Sequence, residues 1–183
     1  MKIRSIACTT SLLFGLTAPS MALAQSANVA SFLNMANQMN NQEEDNAKEL
    51  RSKAGDNQAL VTMADTLNQD HKANQAALET LAKQKNITLD SYQPNKVDAD
   101  RLDNLKGAQF NEAFLKMDIR DHKEALTEFN TAKSNLSGDS DVKVYIDQTI
   151  PVLESHLKMA EGLRHDNKML GSSENPENNK STN

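Results

Sequence analysis

The chain has 183 residues, with 20 Lys and Arg against 25 Asp and Glu, a formal net charge of −5, one cysteine, no tryptophan and 4% aromatic residues. An acidic chain of one domain's length does not supply the basic patch on which binding to nucleic acid or to an anionic membrane depends. Ala, Leu, Met, Gln, Lys and Glu dominate it, which is the composition of helices.

Residues 1–24 read as an export signal. Lys2 and Arg4 precede a mostly apolar run from Ile6 to Leu16, and Pro19 and Ser20 lead to Ala22-Leu23-Ala24, a small-residue pattern that signal peptidase accepts. The run falls short of the about 20 apolar residues needed to cross a bilayer, and no later segment approaches that length. The expected product of cleavage after Ala24 is a periplasmic or otherwise exported chain that starts at Gln25 and has no transmembrane anchor. Cleavage removes Lys2, Arg4 and Cys8, so the charge moves from −5 to −7 and no thiol remains for a disulfide or a metal site.

Four long helices are predicted in residues 25–170. The first spans about Val29 to Ala54, with Val29, Phe32, Ala36, Met39, Ala47, Leu50 and Ala54 on one face, and Gly55 ends it. Asp56 is placed to cap the second, about Asn57 to Lys85, whose stripe reads Leu60, Ala64, Leu67, His71, Asn74, Leu78 and Leu81. A Pro-containing link from Asn86 to Val97 has no apolar period. Asp98 is placed to cap a third helix that Gly107 bends or interrupts, giving a short lead-in before a main segment that ends at Leu136. The main segment carries Phe114, Asp118, His122, Ala125, Phe129 and Ala132 on one face. Gly138 and Asp139 mark a turn. The last helix, about Ser140 to Lys168, aligns Val142, Ile146, Thr149, Val152, His156, Met159 and Leu163, with a kink expected near residues 147 to 151 because Pro151 removes one backbone donor. The tail 171–183 has no apolar face and is expected to be disordered.

Helices of this length each extend about 40 Å, and their similarity favours an antiparallel bundle in which all midpoints share one level. His71, His122 and His156 fall near the midpoints of three helices, and Glu43 near that of the first. Each of these polar groups sits on an apolar stripe, so a buried ring must find a carboxylate, a water or a metal ion. Asp118 lies four residues before His122 and can ligate with it, while Asp70 and Asp121 flank two of the histidines. His165 faces the opposite side of its helix from His156 and is expected at the surface, where it complements the helix C-terminus together with Arg164 and Lys168. Met35 and Met39 read as core filling rather than a Cu(I) site. Asn86-Ile87-Thr88 and Asn135-Leu136-Ser137 match glycosylation acceptors by chance, and no phosphate-binding loop or nucleophile elbow is present.

Asp70-His71-Lys72, Asp121-His122-Lys123, Gly107-Ala108-Gln109-Phe110, and Ile150-Pro151 followed by His156-Leu157 together resemble the DUF4142 family over roughly Ala30 to Leu163. The resemblance implies an exported bacterial envelope protein with a ferritin-like four-helix fold, and it implies no reaction. Ferritin-like di-iron proteins carry Glu-x-x-His on two helices. Here the residues three before the histidines are Asn68, Ile119 and Leu153, so that chemistry is not expected. A site of His71, His122 and His156 with carboxylates from Glu43, Asp118, Asp70 and Asp121 suits Zn²⁺, Cu²⁺ or a single Fe²⁺ better.

The first expectation for function is a binding or structural protein of the cell envelope, linked to stress and without turnover, in which the histidines form a structural polar layer. The alternative is a protein that binds a divalent transition metal or a small ligand. A redox enzyme ranks third.

Overall fold

The computed structural model describes residues 19–173, with side chains from 25 to 167. The expected leader lies outside the described residues except for its last six, and the expected tail except for residues 171–173. The described residues form five helices: α1 (Pro19–Lys53), α2 (Gln58–Gln84), α3 (Lys96–Asp103), α4 (Gly107–Asn135) and α5 (Ser140–Ser173). Among the described residues all regular structure is helical, and no helix is long and apolar enough to cross a membrane.

Several helix ends differ from expectation for local reasons. α1 already covers Pro19, ten residues before the expected start at Val29, and neither glycine nor a further proline lies between the two. The α2 cap is Asn57, not Asp56; its Oδ1 accepts from the Leu60 N–H at 3.2 Å. Asn95, not Asp98, caps α3 by accepting from the Val97 N–H at 3.1 Å. Asp98 turns inward instead and receives Arg120 Nη2 of α4 at 2.9 Å. Gly107 interrupts rather than bends, since its φ of 53° separates α3 from α4 in a conformation that side chains disfavour. At the end of α2, Asn86 takes φ 54° while Asn86 N–H bonds Lys83 O and Ile87 N–H bonds Ala82 O, which closes the helix in a Schellman motif.

Two apolar cores lie at opposite ends of the bundle. One joins Phe32, Leu33, Leu78, Phe129, Tyr145 and Ile146; the other joins Leu50, Leu60, Met63, Leu67, Phe110 and Phe114. α1 and α5 run from the first core to the second, whereas α2 and α4 run the other way. Packing joins α1 to α2, α4 to α5, α2 to α5 and α1 to α4, so every neighbouring pair is antiparallel. This order requires one connection to cross the length of the bundle, as in ferritin-like folds.

That crossover is the link expected to be unpatterned, and it is a strap laid along α1. Asp90 N–H donates to Asn34 Oδ1 at 2.8 Å, Asn37 Nδ2 to Asp90 O at 2.9 Å, Gln93 N–H to Gln38 Oε1 at 2.9 Å and Asn95 N–H to Gln42 Oε1 at 2.7 Å. Amide side chains spaced three and four apart on a helix thus satisfy an extended backbone that has no strand to pair with. Ile87 and Leu89 tuck against the core beneath it.

The apolar stripes also shift in places. On α5, Leu153 and Ala160 are buried while Val152 and Met159 are only partly covered, because the face follows a 4-3-4 spacing beyond Thr149. On α1 the buried face takes in Asn37, Asn40 and Asn46 beside Glu43, and Met35 and Met39 pack at the edge of the core.

Candidate metal centre

Between the two apolar cores lies a polar layer. α1 contributes Asn40 and Glu43, α2 contributes His71, α4 contributes Asp118 and His122, and α5 contributes His156. Each position interrupts an apolar run on its own helix, so each of the four long helices turns a polar side chain inward at the same depth. His71, His122 and His156 are 3%, 1% and 1% exposed. Their ring centroids stand 5.2 to 5.8 Å apart, and each ring offers one nitrogen to a group within 4.8 Å of the others. His165 is exposed, as its opposite helix face requires.

The partners of the rings fix which nitrogens carry hydrogen. His122 Nδ1 lies 2.9 Å from the backbone oxygen of Asp118, which can only accept, so Nδ1 holds the hydrogen. His156 Nε2 lies 2.9 Å from Asp70 Oδ2 and donates to it. His71 Nδ1 faces Asn40 Oδ1 at 3.3 Å. The Asn40 orientation is set by a chain of amides: Gln75 Nε2 donates to Asn37 Oδ1, and Asn40 Nδ2 donates to Gln75 Oε1. Burial, followed by the other rings, holds His71 well below its usual pKa. Burial also lowers His156, against the opposing pull of Asp70.

In the neutral rings the remaining nitrogens are lone-pair donors: His71 Nε2, His122 Nε2 and His156 Nδ1. The last two approach to 3.3 Å. His71 Nε2 has no hydrogen-bond partner among the described residues. Three imidazoles thus come together in a buried place, each with one nitrogen held by an oxygen and the other left as a lone-pair donor. Metal-ligating histidines are oriented in this way.

Glu43 and Asp118 form a second group with His122, again with donor atoms within 4.8 Å of one another. Glu43 is 6% exposed and Asp118 0%. Glu43 Oε1 accepts from Asn46 Nδ2 at 3.2 Å, but Glu43 Oε2 and both Asp118 carboxylate oxygens lack a hydrogen-bond partner among the described residues. Asp118 Oδ2 lies 3.4 Å from His122 Nδ1, yet that N–H is directed at the nearer carbonyl. Burial pushes Glu43 up to about 8 and Asp118 well above its ordinary value.

The seven residues expected to ligate therefore separate. His71, His122 and His156 come together, and Glu43 and Asp118 form a group with His122. Asp70 sits behind the ring of His156 rather than that of its neighbour His71. Asp121 is bound by Arg120 at 2.7 Å. Asn40 and Gln75 escaped the sequence reading, although Asn37, Asn40, Glu43 and Asn46, three apart, mark a polar run that a helix interior does not otherwise need. A cavity of about 240 Å³ leads towards the layer from exposed Gln93, Asn95 and Glu124 to buried Glu43, His71 and His122. No Lys or Arg lines it.

No curated protein and no solved structure matches the chain. A family described as a domain of unknown function has a sequence model that matches residues 15–163, most of the chain including every helix that builds this layer; the chain belongs to that family, DUF4142.

Proposed function

We propose that the protein is an exported helical bundle that holds one divalent transition metal ion on His71, His122 and His156. The observation that carries this reading is the meeting of three buried imidazoles, one nitrogen of each within 4.8 Å of the others, whose rings are held by Asn40, the Asp118 carbonyl or Asp70. Two nitrogens bound to a tetrahedral Zn²⁺ at about 2.0–2.1 Å stand about 3.3–3.4 Å apart. The gap between His122 Nε2 and His156 Nδ1 is 3.3 Å.

A structural polar layer is the competing reading, with a proton in place of the ion. A proton between His122 and His156 satisfies two nitrogens and leaves His71 Nε2 as it is, buried and unpartnered. The donor set of three neutral imidazoles suits Zn²⁺, Cu²⁺ or Fe²⁺, and the oxygens behind the rings hold their orientation and tautomer. Export rests on the leader pattern of residues 1–24.

Metal analysis of the mature protein, purified from its host without an affinity tag, tests the reading. The expected result is stoichiometric metal that His71→Leu and His156→Leu both lose. A metal-free native protein whose chelator-treated form takes up neither Zn²⁺, Cu²⁺ nor Fe²⁺ would refute it in favour of the structural layer.

A further inference from the structure

The carboxylates beyond His122 are left over by a single histidine-bound ion. Glu43 and Asp118 come from different helices, α1 and α4, and bring their oxygens to one point in the bundle interior. Three of their four oxygens have no donor among the described residues, and neither group forms an ion pair with a lysine or arginine there. Both side chains are more than nine-tenths buried. Two buried carboxyls side by side are costly to ionise without a cation and leave oxygens unpartnered, and an arrangement built only for packing is better served by amides or hydrocarbon. Asp118 Oδ2 lies 3.4 Å from His122 Nδ1, the nitrogen whose hydrogen the carbonyl already holds, so this carboxylate is poorly placed to complete the coordination of an ion held by Nε2.

We propose that Glu43 and Asp118 hold a second divalent cation beside the Nδ1 edge of His122, and that this position prefers a harder ion, such as Mn²⁺, than the imidazole site does. Oxygen donors favour the harder ions of the first transition row, whereas three imidazoles favour Zn²⁺ or Cu²⁺. The cavity that touches both Glu43 and His122 offers an access route whose exposed end carries Glu124 and no cationic residue to repel an incoming ion. The carboxylate position has a different donor set from the imidazole site, so it can hold or fail independently of it.

Equilibrium dialysis of the chelator-treated mature chain against Zn²⁺ and Mn²⁺, followed by metal quantification, tests it. The wild type is expected to retain both ions. Glu43→Gln and Asp118→Asn are each expected to lose Mn²⁺ and keep Zn²⁺, while His71→Leu and His156→Leu do the reverse. Glu43→Gln keeps the side-chain shape and its acceptor for Asn46, so it decides the matter should Asp118→Asn fail to fold. Retention of Zn²⁺ alone by the wild type, or Mn²⁺ binding unchanged in Glu43→Gln, overturns the second site and leaves the imidazole site standing. Mn²⁺ bound by the wild type and lost in Glu43→Gln, with no Zn²⁺ retained at the imidazoles, supports the second site alone.

Discussion

Replacing Glu43 by glutamine changes how stability depends on pH, and the direction follows from its burial. An unfolded chain ionises this carboxyl near 4.5, whereas the folded chain keeps the proton until about 8. Between these values the folded state binds more protons than the unfolded state, so stability falls as pH rises. The cost is absent below pH 4.5, reaches about 3 kcal/mol at pH 7 and approaches about 5 kcal/mol above pH 8, at 1.36 kcal/mol per pH unit. A glutamine side chain at this position cannot ionise, and its amide oxygen can still accept from Asn46. The metal-free Glu43→Gln protein is therefore expected to melt about 6–12 °C above the wild type at pH 7, using about 2–4 °C per kcal/mol for a domain of this size. At pH 4 the two should melt together. His71 and His156, held below their usual pKa by burial, act in the opposite sense, costing stability as pH falls below 6.5, but both proteins carry them. Thermal melts of chelator-treated proteins from pH 4 to pH 8.5 provide the assay. Parallel curves for the two proteins across this range would refute the assignment of Glu43 as a buried carboxyl that keeps its proton in the folded chain.

Wild type in Zn²⁺ at about 100 times its dissociation constant is expected to gain about 2.7 kcal/mol, and His71→Leu should lose the share that comes from the imidazole site; calorimetric titration beside thermal melts checks both. Asp70→Asn weakens the acceptor behind His156 Nε2 while leaving the fold intact, so Zn²⁺ affinity should drop about 10–100-fold with little change in the metal-free melting temperature. Arg120→Ala leaves Asp98 buried without its main cationic partner and should cost about 1–3 kcal/mol, read by denaturant unfolding, with faster amide exchange in α3 than elsewhere in the bundle. Mass spectrometry of the chain from its host is expected to find Gln25 as the first residue; an intact Met1 to Ala24 segment in a cytoplasmic pool contradicts export.

Helix identity was legible in the sequence because it depends on local periodicity and on breakers such as Gly55, Gly107 and Gly138-Asp139, all of which act within a few residues. The common depth of His71, His122 and His156 was legible too, since helix length alone sets that level in an antiparallel bundle. Periodicity could not say which nitrogen of each ring faces inward. That depends on Asn40, the Asp118 carbonyl and Asp70, and two of these three partners arrive from other helices. Nor could it separate Asp70, which supports a ring on α5, from Asp118, which stands with Glu43 of α1, because both read as carboxylates beside a histidine. Nothing local to Asn34, Asn37, Gln38 and Gln42 says that an extended link lies against them, because their backbone partners come from more than 50 residues away. Chain sequence determines which face of a helix is polar; only packing decides whether that face meets water, a strap or three converging imidazoles.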